Sequence, residues 1–192
     1  MKLKGIVLML AFFAVIFGIV FLDQLTKWLA VILLKGEGSA YFINNFLRFT
    51  YVENRGAAFG MLSNQRWIFL VISSAMIIAI VWYMFKYRPE SKLAWIGATF
   101  IVGGGIGNMI DRVLLGYVID FIDFYTIWEF VFNVADMFVC VGAGIMVLYL
   151  VLSLSEEIAA EKKAKASSAL NEEGNTEESV DANEKGGGEK GE

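Results

Sequence analysis

Five aspartates stand among apolar or amide-bearing neighbours in the first 140 residues: Asp23, Asp111, Asp120, Asp123 and Asp136. Carboxylates at membrane depth are costly, at least about 2.5 to 3.5 kcal/mol each, so each asks for a reason. The chain has no histidine and one cysteine, Cys140. That excludes a Ser-His-Asp triad, a Cys-His pair and an HExxH zinc site. One thiol permits no intramolecular disulfide and makes a structural zinc implausible; within MFVCVGAGIMVLYL, Cys140 reads as a small buried hydrophobe. Two carboxylates brought together would still offer a complete chemistry. In a low-dielectric site they cannot both ionise easily and would share a proton. One is then a base for water and the other an acid for a carbonyl oxygen, as peptide hydrolysis without a metal or a side-chain nucleophile requires.

The spacing of the polar residues suggests how they are presented. Asp23 and Lys27 stand at i and i+4 with the acid first, the favourable order for a helical ion pair. In GGGIGNMIDR, Asn108, Asp111 and Arg112 share one helical face at i, i+3 and i+4. Gly103 and Gly107 form a GxxxG step that lets a neighbouring backbone approach. FNVAD places Asn133 and Asp136 at i and i+3, and VIDFID supplies Asp120 and Asp123 just before it. Taken singly, the first is an interfacial salt bridge and the second a packing helix with a polar mouth. The dyad chemistry requires that Asp120 and Asp136 converge.

The elements that must position these groups lie in lipid. Of the 192 residues, 57% are hydrophobic, more than a soluble core of this size needs. Four apolar runs, 5–22, 67–87, 93–110 and 134–154, approach the roughly 20 residues that cross a bilayer. The first follows Lys2 and Lys4, but its length and the lack of a small-x-small site after it favour a retained helix over a cleaved leader. Lys86, Arg88 and Lys92, with Lys162, Lys163 and Lys165 after the fourth run, put both termini on the cytoplasmic side. Between the first two runs, segment 35–66 contains FLRFTYV, whose period of two predicts a strand in a small sheet, an aromatic platform at the membrane surface. Residues 156–192 carry a net charge of −6 against +2 for residues 1–155, so the net of −4 belongs to the tail. A helix is expected to run on past Glu156, and a solvated, disordered chain beyond Ser167, where large apolar residues are nearly absent. The fold class is therefore integral membrane and mostly α, with a four-helix domain over 1–155, a small outer β segment and an extension over 156–192.

Five motifs in order, DQLTK at 23–27, VENRGAAFG at 52–60, GGGIGNMIDR at 103–112, VIDF at 118–121 and FNVAD at 132–136, resemble those of the lipoprotein signal peptidases. The resemblance spans most of residues 1–154 and leaves the tail uncovered. It implies a membrane aspartyl protease that cuts the signal peptide just before a diacylglyceryl-modified cysteine. By motif the catalytic pair falls on Asp120 and Asp136. Asn108, Asp111, Arg112 and Asn133 match positions that brace and line the site. Asn54, Arg55 and Gly56 match an outer motif near the substrate, and Asp23 and Lys27 match the motif of the first helix. Asp123 matches none. The family's usual proline three residues before the asparagine of FNxAD is replaced by Phe130.

The partners implied are lipidated prolipoproteins and membrane lipids, with no nucleic acid, no metal and no organic cofactor. The resemblance places the enzyme in a bacterial cytoplasmic membrane, its active site near the outer face. A proton-coupled carrier is the rival class, but four helices without a repeat and charges gathered at helix ends fit it poorly. A non-catalytic assembly factor would use the GxxxG step but not the cluster of acids.

Overall fold

The computed structural model describes residues 2–56 and 65–186, with side chains for 6, 7, 9–56 and 65–165. The chain divides into two compact units, Met1–Val147 and Leu148–Glu192. Four helices, α1 (Lys2–Leu34), α2 (Arg66–Tyr87), α3 (Lys92–Leu114) and α4 (Val134–Gly186), are accompanied by strands β1 (Ala40–Ile43), β2 (Leu47–Asn54), β3 (Val118–Asp123) and β4 (Val131–Phe132). Each helix contains a span long and apolar enough to cross a membrane: Met9–Leu34, Arg66–Tyr87, Lys92–Leu114 and Val134–Lys165.

Helix α1 exceeds the expected 5–22. The apolar run looks interrupted at Asp23, but Phe12, Ile16, Ile19, Asp23, Lys27 and Ala30 form a single buried stripe at steps of three or four. The charges turn inward along that stripe, so the helix continues to Leu34 with Phe17, Phe21, Trp28 and Leu33 on its exposed side. Asp23 therefore lies about 16 Å short of the helix's C-terminal end, at 1.5 Å per residue, rather than at that end.

Helix α3 is buried on several faces, through Trp95, Ala98, Ile101, Val102 and Asp111 among others. Small residues let its neighbours close on it. A Cβ at Gly103 would meet the Ile19 side chain of α1 at 3.0 Å, and one at Gly104 would overlap the Ala135 carbonyl of α4. Helix α2 buries Met84 near its end, which is closed by Arg88 in the left-handed conformation, φ 46°, donating its N–H to Met84 O at 3.1 Å. The Trp95 indole donates to Pro89 O at 2.9 Å and joins Phe12 and Phe85 in an edge-to-face cluster at this end of α1, α2 and α3. Cys140 is exposed on α4, not buried as its apolar run suggested. An exposed thiol is ordinary where the surrounding face is itself apolar.

The strands form one antiparallel sheet in the order β1-β2-β3-β4. The expected strand in 46–52 is β2, which continues to Asn54. Ile119 and Phe121 of β3 pack with Phe49 and Tyr51 against Ala30, Val31 and Leu34. The last turns of α1 thus carry the sheet. Residues 57–60 of the outer motif lie outside the described residues, as do the side chains from 166 on, where the solvated tail is expected; the α4 backbone itself is assigned through Gly186.

Candidate active site

The start of α4 is closed by its own side chains. Asn133 is fully buried and takes the N-cap position: its Oδ1 accepts the Asp136 N–H at 2.9 Å, and Asp136 Oδ2 accepts the Asn133 N–H at 3.2 Å. This reciprocal pair is a capping box with aspartate as its acid. It aims Asp136 at the helix N-terminus, where unsatisfied N–H groups favour an anion. With Asn133 Oδ1 engaged, its Nδ2 faces the other way and donates to Asp120 Oδ1 at 2.6 Å and Asn108 Oδ1 at 3.0 Å.

Asp120 arrives from β3, 1% exposed. Its cross-strand partner is Val52, and two residues on, Asn54 Nδ2 donates to Asp120 Oδ2 at 2.8 Å. The Gly56 N–H occupies Asn54 Oδ1 at 3.0 Å, a local turn that leaves the amide hydrogens pointing at the carboxylate. Helix α3 completes the bridge, because Asn108 Nδ2 donates to Asp136 Oδ1 at 2.7 Å. Every carboxylate oxygen of Asp120 and Asp136 accepts one N–H, and the two acids are joined through Asn133 and Asn108.

Behind them lies a charged cluster. Lys27 reaches Asp23 Oδ2 at 2.9 Å, Asp111 Oδ2 at 3.0 Å and Asn108 Oδ1 at 2.9 Å, using all three ammonium hydrogens. Asp23 Oδ1 accepts the Ala135 N–H at 2.9 Å, tying α1 to α4. Asp111 Oδ2 accepts the Ile119 N–H at 3.0 Å, and Gly116, at φ +83°, turns the chain from α3 into β3. Close packing makes this possible, since a Cβ at Gly107 would fall 2.5 Å from Asp23 Oδ2.

Burial, followed by the nearby Asp136 charge, pushes the Asp120 carboxyl up to about 7. At the rim, Glu53 is held below its usual value by hydrogen bonds from Arg55 and Lys35. Among the described residues no three His, Cys, Asp or Glu side chains group as metal ligands would.

The residues singled out from sequence fall into three sets. Asp23, Lys27, Asn54, Asn108, Asp111, Asp120, Asn133 and Asp136 form one continuous hydrogen-bonded group. Arg112 lies beside it, half-buried over the Phe69 ring at 5.0 Å and donating to Asn108 O at 3.4 Å. Arg55 turns away, pairing with Glu53 at 3.0 Å over the Tyr117 ring. Asp123 is committed elsewhere, to Arg48 Nε at 2.6 Å. Gln24 escaped notice, yet its Nε2 donates to Asp111 Oδ1 at 2.9 Å and to Gly107 O and Asp23 Oδ2 at 3.2 Å. Its place inside DQLTK, next to Asp23 and one turn from Lys27, was the available signal.

The model of signal peptidase (SPase) II matches residues 15–152. The chain belongs to the signal peptidase II family. Members are proteases, and relatives agree with the assignment. The lipoprotein signal peptidase of Caldanaerobacter subterraneus subsp. tengcongensis is 52% identical over 128 residues, covering 67% of this chain and 87% of that protein. The lipoprotein signal peptidase of Clostridioides difficile is 43% identical over 128 residues, covering 67% and 86%. A solved bacterial membrane enzyme, determined by the in meso method at 2.3 Å resolution, superposes with a TM-score of 0.71 at 31% identity, over 76% of this chain and 90% of that one. The signal peptidase II fold thus accounts for the four apolar helices and the sheet, in a multi-pass membrane protein with bacterial relatives.

Proposed function

We propose that this chain removes signal peptides from diacylglyceryl-modified prolipoproteins, cutting before the lipidated cysteine, with Asp120 and Asp136 as the catalytic pair. The observation that carries the reading is the meeting of two acids from β3 and α4 through Asn133 and Asn108, in a member of the signal peptidase II family. Asp136, at a helix N-terminus, is the anionic base that takes a proton from water. Asp120, whose carboxyl is pushed up to about 7, holds the proton that goes to the scissile carbonyl oxygen as the tetrahedral intermediate forms. Collapse of that intermediate breaks the C–N bond, with the proton on Asp136 passing to the leaving amine and one hydroxyl proton of the intermediate returning to Asp120. Asn54 and Asn133 keep Asp120 in place without supplying charge.

Both termini and the loop at Lys86, Arg88 and Lys92 face the cytoplasm in this reading, and the sheet lies at the outer surface of a bacterial cytoplasmic membrane. Residues 1–155 form the peptidase domain and 156–192 an extension. The acyl chains of the substrate remain in the bilayer while its peptide enters between the helices. Turnover of a diacylglyceryl-modified precursor by purified protein tests the proposal. Cleavage must vanish in Asp120→Asn and Asp136→Asn, and a wild-type rate in either refutes the mechanism.

A further inference from the structure

Lys27 makes one contact more than charge balance requires. Asp23 and Asp111 already neutralise it, yet its third N–H goes to a neutral amide oxygen, Asn108 Oδ1 at 2.9 Å. An ammonium has donors only, so the atom facing it must be the oxygen. Asn133 Nδ2 donates to the same oxygen at 3.0 Å. The Asn108 NH2 is thereby turned to Asp136 Oδ1, 2.7 Å away. A flipped Asn108 would set its NH2 against an ammonium and a second NH2, and its oxygen against a carboxylate.

We propose that Lys27 is a positioning residue for the acid pair, acting through Asn108 by fixing the polarity of its amide. The proposal rests on the catalytic reading of Asp120 and Asp136. Its substance is a division of labour along the Lys27 stem. One N–H pairs with Asp23 on the same helix and one knits α1 to α3 through Asp111, whereas the third orders the amide that holds the base. Gln24 supports the first task by bridging Asp111, Asp23 and Gly107 O. Without Lys27 only Asn133 Nδ2 and the Asp136 carboxylate hold the Asn108 amide to that polarity, and the donor that sets the direction of Asp136 toward the attacking water is held less firmly. Misplacement of a reacting group on this scale costs about 10²-fold in rate. Because the amide touches the base and not the substrate, the loss belongs in kcat rather than KM.

The test works in an Asp23→Asn background, in which adding Lys27→Met restores the net charge that the cluster has in wild type. Turnover of a diacylglyceryl-modified precursor and thermal unfolding in detergent are measured for Asp23→Asn alone, with Lys27→Met, with Asn108→Ala and with both. The expected result is a drop of about 10²-fold in kcat for Lys27→Met at nearly constant KM, and no further drop when it is added to Asn108→Ala, the non-additivity of two residues acting as one. Additive losses, or a Lys27→Met rate equal to its background, overturn the proposal. Asn108→Asp covers the case in which no Lys27 variant inserts. It keeps an acceptor for Lys27 and Asn133 but sets an oxygen against Asp136 in place of its N–H, so kcat should fall on at least the same scale. A wild-type kcat there overturns the proposal. Asp136→Asn runs alongside: activity retained in it removes the acid pair itself, whereas additivity with Asp136→Asn inactive removes only the role of Lys27.

Discussion

Replacing Asp120 by asparagine should make the protein more stable relative to wild type as pH rises. The carboxyl goes from 3.8 in the unfolded chain to about 7 in the fold, through burial first and the Asp136 charge second. A folded-state value above the unfolded one means that the fold binds an extra proton between these two pH values. Wild-type stability is therefore greatest below about pH 4 on this account and declines as pH rises to about 7. Asparagine cannot titrate and removes the decline. Integrating the linkage from pH 5 to pH 8 gives about 2 to 3 kcal/mol of relative gain for Asp120→Asn. Against it stands a constant cost, about 1 to 3 kcal/mol, because one of the donors Asn54 and Asn133 now faces an NH2. The constant cost offsets the curve without changing its slope. The measurement is the unfolding midpoint of both proteins in detergent at pH 5, 6, 7 and 8. A difference between them that does not change with pH would refute the assignment of a raised, proton-holding Asp120.

Three further outcomes follow from the same geometry. Turnover should fall above about pH 7 with a one-proton slope in a pH–rate profile, since the acid is then ionised, the apparent value belonging to the coupled pair. Asp136→Ala should destabilise the fold more than Asp120→Ala, by about 1 to 2 kcal/mol at pH 7 in denaturant unfolding, because it also breaks the capping box with Asn133; equal losses would count against that box. Asp123→Asn should keep most activity in the turnover assay, its carboxylate being committed to Arg48 and not to the pair.

Much of the fold was legible because the signals were local. Run length and composition marked four helices, and the alternation in FLRFTYV marked β2. The end of α1 was not legible, since a charged residue in an apolar run reads as a terminus unless its partner is known. Lys27 supplies half of that partner within the helix, but Asp111, which completes it, lies 84 residues away. The site was legible as residue types and helical offsets. NVAD even carries the N-cap and N3 positions of a capping box, although its spacing alone said only that Asn133 and Asp136 share a face. What spacing could not supply was the cross-element wiring: Asn54 to Asp120, Asn108 to Asp136, and Gln24 into the cluster. These depend on the β2–β3 register and on how closely Gly104 and Gly107 let α4 and α1 approach α3. Asp123 was ambiguous for the same reason, because only the pairing of Arg48 with Asp123 in the sheet commits it.

The self-contained pair on α1 also bears on how the protein is made. Asp23 and Lys27 lie one turn apart on the same helix, 2.9 Å from each other, so their charges cancel as soon as that turn forms. Asp111 emerges from the ribosome 84 residues later, a delay of about 4 to 17 seconds at ordinary synthesis rates. During that interval α1 would otherwise have to hold an unmatched charge in lipid. Carrying its own counter-ion lets the first helix partition into the bilayer alone and wait there, with one ammonium hydrogen bonded and two in reserve for the third helix to claim.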